Sequence, residues 1–146
     1  MADVEIVDNS GQFVSELEND IIPVMLEELG LRAEGYAAVL TPVGTPESTG
    51  IEGYVSSGLR QSITHTVDTK ENAVIIGSNK PYAPFVELGT GIHNPQGRRT
   101  PWIWIDKNGK PHKTNGMKAT HMLKKAVADH TDEWKRVIIR YLKGGN

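Results

Sequence analysis

The sequence predicts an α+β fold. Long N-terminal and C-terminal helices pack on a mostly antiparallel sheet built from two hairpins, with a short middle helix. Apolar residues recur at three-to-four spacing towards both ends of the chain. Between them lie two pairs of short strand-like runs, each pair joined by turn residues. Sequential hairpins favour antiparallel or mixed pairing with helices on one face.

The first helix opens at Asp8-Asn9-Ser10, residues suited to capping, and its apolar stripe is Phe13, Leu17, Ile21, Val24 and Met25. Its outer face is acidic. Pro23 lies within it and predicts a kink or break, because proline lacks the backbone donor and clashes with the carbonyl four residues back. Gly30 is read as the end of the first piece, with residues 33–40 continuing it. Residues 41–53 are mostly Pro, Gly, Thr, Ser and Glu and read as an exposed loop.

Ile63-Thr-His-Thr-Val67 and Ala73-Val-Ile-Ile76 flank a turn cluster and form a hairpin, the second strand being the more buried. Residues 81–88 suit either a strand or a short helix. The helix is preferred, with Ser78 or Asn79 as cap, Pro81 in the first turn and Gly89 past the end. Trp102-Ile-Trp-Ile105 suits a strand, and Asn108-Gly109 signals a two-residue turn into a polar, basic return strand, so this hairpin is expected to project. Residues 118–142 read as one long helix with Met122, Leu123, Ala126, Val127, Trp134, Val137, Ile138 and Tyr141 on its apolar stripe. Residues 144–146 are expected to fray.

The 146 residues fit one domain over 1–146, with 41–56 and 89–116 as exposed loop and projecting hairpin. Cysteine is absent, which removes disulfides, thiol catalysis and cysteine-held metals and fits a reducing compartment. The acidic start predicts no signal peptide, and no apolar run approaches the ~20 residues of a membrane span. Charge is divided. Through Ser56, eleven acids face the single base Arg32; from Ser57 onward, 15 Lys and Arg face seven acids. Either the two halves meet within the fold, or the subunit carries an acidic and a basic face that stack copies or partners in one orientation.

No catalytic, cofactor or metal site is predicted. His121 and His130 lie nine residues apart, about 180° around a helix, and no histidine pair sits at i, i+4. Gly89-Thr90-Gly91 lacks the Lys-Ser/Thr of a phosphate loop. Glu87 is the one acid placed among apolar residues and glycines. Accepting backbone N–H groups of the 89–91 turn, or pairing with Arg60, explains it better than catalysis. Arg98, Arg99, Lys107, Lys110, Lys113 and Lys118, interleaved with Trp102 and Trp104, suit a solvated hairpin anchored by tryptophan; the alternative is a nucleic-acid-binding module using 98–118.

Three segments together resemble the minor tail or tail-completion proteins at the head–tail junction of long-tailed bacteriophages. Ser57-Gly-Leu-Arg-Gln-Ser-Ile63 is similar to the family's TG-x-L-R-x-S-I, with serine for the usual threonine. Ile76-Gly-Ser-Asn-Lys-Pro-Tyr-Ala-Pro-Phe-Val-Glu-Leu-Gly-Thr90 is similar to iGt…YA-x-y-v-E-x-GT and is the most specific of the three. Ala119-Thr-His-Met-Leu-Lys-Lys-Ala126 matches a-q-P-f-l-r-p-A in its alanines and apolar pair, but has His121 and Lys125 where proline is usual. The resemblance implies a non-enzymatic structural subunit of the virion neck, assembled in the host cytoplasm. Its homo-oligomeric ring, commonly a hexamer, would sit between the head connector or adaptor and the tail tube or tail terminator, with DNA passing through the lumen without sequence-specific binding. No cofactor and no membrane are implied. The expected contact residues are Tyr82, Phe85 and Trp102 in core or inter-subunit packing, Arg60 with Glu87 as an ion pair, and Trp104, Arg98, Arg99, Lys110 and Lys113 on the basic segment.

Overall fold

The computed structural model describes residues 7–46, 56–106 and 108–144 and has the expected α+β architecture. Helix α1 (Ser10–Glu16) passes through a π turn (Leu17–Ile21) into α2 (Ile22–Leu40). A short α3 (Gly58–Gln61) leads into β1 (Ile63–Asp68) and β2 (Ala73–Ser78). Then come α4 (Ala83–Leu88), a 3-10 turn (Gly91–His93), β3 (Trp102–Ile105), β4 (Pro111–Thr114), α5 (Met122–Ala128) and α6 (Thr131–Leu142). Each hairpin is antiparallel, and each forms its own two-stranded sheet rather than half of a shared one.

Pro23 does not break the first helix. The disturbance takes the form of the π turn just ahead of it, a wider turn that gives room where proline cannot bond to the carbonyl four residues back. Gly30 does not end the helix either; it is buried mid-helix. The proposed apolar stripe is only partly used. Met25 is buried, whereas Phe13 and Val24 are exposed, and residues 10–21 contain no buried residue.

The core gathers Ala37 of α2, Leu59, Ile63, Ala83, Val86, Met122 and Ala126, with Tyr36, Ile76 and Leu123 packed against it. Much of it is alanine, which lets the helices approach closely. The first hairpin is held by Ile63 at the start of β1, where Thr64 and Thr66 are exposed; in β2 only Ile75 is exposed and the rest are half-buried. Thr41, expected at the start of an exposed loop, is fully buried, its hydroxyl bonded to the Ala37 carbonyl at 2.6 Å. Gly44 and Ser56 then bridge through two backbone bonds of 2.9 and 2.8 Å. Residues 47–55 of that loop, Lys107 of the projecting hairpin and the end at 145–146 lie outside the described residues.

The long C-terminal helix is two helices. Asp129 and His130 interrupt it, and side chains take over the carbonyls left at the end of α5. The His130 ring bonds the Ala126 carbonyl at 3.0 Å, Thr131 Oγ1 donates to Ala128, and Trp134 Nε1 donates to Val127 at 2.8 Å. Thr competes with the helical backbone in this way. The break leaves Val127 exposed. It also lays His130 flat on Tyr36, with ring centroids 3.6 Å apart.

Candidate interaction surface

Helix α4 and its flanks, the heart of the most specific motif, tie the middle of the chain to its last third. The cap is Tyr82 and Pro84 occupies the first turn, one helical start later than expected from Pro81. Ala83 and Val86 are three apart and share the inward face. That register turns Tyr82, Phe85 and Leu88 outward, with Phe85 58% exposed, so neither Tyr82 nor Phe85 is a core residue. Backbone N–H groups of Thr120 and His121 donate to the carbonyls of Val86 and Glu87 at 3.0 and 3.1 Å. Gly89 follows at φ +76, where a side chain would collide with the backbone of Met117 and Ala119. Thr90 and Met117 then exchange two bonds, each 2.8 Å.

Glu87 does not pair with Arg60. Its two oxygens accept the N–H groups of Leu123 (2.9 Å) and Lys124 (3.1 Å), capping the first turn of α5, a backbone role as expected but on a different segment from the 89–91 turn. His121, which stands where the resembled family has proline, is left-handed at φ +50 immediately before that turn. The Arg60 guanidinium instead donates twice to the carbonyl of buried Thr41, at 2.8 and 3.2 Å. Neither partner was foreseeable from spacing, because Thr41 and Leu123 reach these groups only through the packing of α2, α3 and α5.

Phe85, Arg98 and Trp102 line one open groove of about 450 Å³, floored by Gly89, Gly91 and Gly97. Arg98 lies over the Trp102 ring, 5.8 Å from its centroid. The Arg99 guanidinium is tied to the carbonyls of Ile92 and Pro95, at 3.2 and 2.6 Å, and organises the 91–97 loop.

The hairpin that follows has two contrasting faces. Trp104 stacks on His112 directly across the ladder, with centroids 4.5 Å apart. The opposite face carries Ile103 at 65% and Ile105 at 61% exposure beside Lys113. Its turn is longer than the two residues that Asn108-Gly109 predicts. Asp106 and Lys110 still pair, and the Asp106 carboxylate, almost fully buried, accepts the N–H groups of Asn108 and Lys110 and the His112 ring at 2.7 Å. Those contacts, the His112 one foremost, hold its carboxyl below the usual aspartate range. Lys110 and Lys113 are exposed.

The acidic outer face expected of the first helix holds only for its N-terminal part. On α2 the acids turn towards the rest of the fold. Glu34 and Glu27 grip the two ring nitrogens of His65, at 2.6 and 2.9 Å, and Glu28 meets Arg32, Arg140 and Tyr141. Glu133 of α6 closes the network on Arg32 and Tyr36. The halves of the charge division therefore meet in part within the fold. Glu16, Glu18 and Asp20 stay exposed, and among the described residues none of them pairs with a base.

Compared with models of known families, with curated proteins and with solved structures, the chain has no match. Among the described residues no helix is long and apolar enough to cross a membrane.

Proposed function

We propose that this protein is a structural subunit of the bacteriophage neck, forming a homo-oligomeric ring that joins or completes the tail at the head–tail interface. The observation that carries the assembly role is the β3–β4 hairpin, one face of which holds Ile103 and Ile105 in solvent. Burying large apolar side chains is favourable, and several held out together on a rigid support mark a surface that another protein covers. The neck assignment rests on the three segments quoted above. Their most distinctive residues, Glu87, Gly89 and Thr90, are accounted for by backbone work. The ring would be hexameric, contacting a connector above and a tail tube below, with DNA in its lumen.

Light scattering on the purified protein, alone and mixed with candidate connector and tail-tube proteins, tests this reading. A ring-sized particle, alone or after mixing, is expected. Ile103→Asp with Ile105→Asp should abolish it while leaving the circular dichroism spectrum unchanged. A strict monomer indifferent to both partners overturns the reading.

A further inference from the structure

We infer that the N-terminal helical arm, residues 10–21, docks into the Phe85–Arg98–Trp102 groove of a second copy of this chain. The inference rests on the ring reading and adds a second contact to the one made by the Ile103–Ile105 face.

Nothing among the described residues buries the arm. Among its described residues none is buried, and Phe13 is 56% exposed with Val14 beside it. An amphipathic helix this short, about 18 Å long, is not held by propensity alone, since most helical stability in proteins comes from packing of an apolar face. The arm cannot reach back to cover itself, because its backbone continues helically through the π turn into α2, anchored at Met25 and Leu26. Among the described residues nothing covers it, and a second copy offers a surface that can.

Charge selects that molecule. From Asp8 to Asp20 the arm carries four acids and no base. Two arms would repel, so a symmetric arm-to-arm contact is disfavoured. The groove offers the opposite chemistry: exposed Phe85, the Trp102 ring, and Arg98 over that ring at its rim. Phe13 supplies an aromatic anchor for the apolar floor while Glu16, Glu18 and Asp20 face the basic rim, an arrangement in which complementary potentials fix register. Donor and acceptor surfaces differ, so the contact can be made head to tail as well as by reciprocal exchange, and the ring reading requires the head-to-tail form. It repeats head to tail from one copy to the next and closes into a ring when the rotation permits.

Charge exchange between two variants tests it, in the condition where the wild type assembles. The arm variant carries Glu16→Lys, Glu18→Lys and Asp20→Lys; the groove variant carries Arg98→Glu. Each alone should associate at least about tenfold more weakly, and an equimolar mixture should regain the wild-type mass, because each variant's arm then suits the other's groove. Both variants assembling alone as the wild type does would overturn the arm–groove contact and leave the ring reading standing. A wild type that never assembles would overturn both. Should a charge variant misfold, the absence of native cysteine allows a gentler probe. Equimolar Glu16→Cys and Arg98→Cys chains, mixed and oxidised, should form mixed dimers well beyond the statistical yield, which is twice that of each homodimer. The statistical yield, or no mixed dimer, would overturn the contact.

Discussion

The imidazole of His65 lies directly on the backbone of Gly30. A Cβ at residue 30 would sit 2.9 Å from the ring's Cγ and closer still to Cδ2, with the ring fixed from both sides by Glu34 and Glu27. Alanine normally gains about 1 kcal/mol over glycine within a helix. Here that gain is lost to overlap with an immobile ring. Gly30→Ala should destabilise by about 1–3 kcal/mol, read from the urea midpoint. Pairing it with His65→Ala should restore much of the loss.

The same histidine makes stability depend on pH. Glu34 foremost, then Glu27, raises the His65 pKa above its ordinary value, against the effect of burial. Since the folded pKa exceeds the unfolded one, near 6.5, this stabilisation is fully present below about pH 6.5. It is lost as pH rises through the folded value. Thermal melts between pH 6 and 9 should show that decline, and Glu34→Gln should flatten it at a cost of about 1 kcal/mol at pH 6.

Glu28 acts at the other end of the scale. Tyr141 foremost, with Arg140 and Arg32, lowers its pKa to about 2. Its contribution is therefore present above the unfolded value, near 4.5, and disappears as pH falls towards 2. Glu28→Gln should lower the melting temperature at pH 6 and narrow its gap to wild type at pH 2.

Glu87 is a helix cap. Glu87→Ala should cost about 1–2 kcal/mol, as loss of capping acceptors does elsewhere. Reversing charge at both positions, Arg60→Glu with Glu87→Arg, should not rescue folding, because the guanidinium serves the Thr41 carbonyl and the carboxylate serves α5. Rescue in a denaturant titration would overturn both assignments.

Met122 is fully buried at the meeting point of α2, α4 and α5. Met122→Ala should destabilise by about 2–5 kcal/mol, measured by chemical denaturation.

The elements themselves were legible in the sequence wherever the chemistry is local. Periodicity placed the helices at both ends, β-branched and aromatic runs placed three strands, the Asn108-Gly109 turn placed the fourth, and Gly89, which takes φ +76, marked the end of α4. Exposed Lys110 and Lys113 follow from the polar, basic pattern of the return strand.

Tertiary structure decided everything that depends on a partner distant in the chain. Phe85 faces outward because Ala83 and Val86, not the bulkier aromatic, fit against Met122 and Ala126. Arg60 and Glu87 looked complementary, yet each found backbone groups, because unsatisfied carbonyl and N–H groups at helix ends are costly to leave and lay closer. The single C-terminal helix divides at His130 because that ring stacks on Tyr36, a residue of α2. Local sequence sets which backbone conformations are cheap. Which face is buried, and which charges meet, is settled by shape and solvation when the whole chain packs.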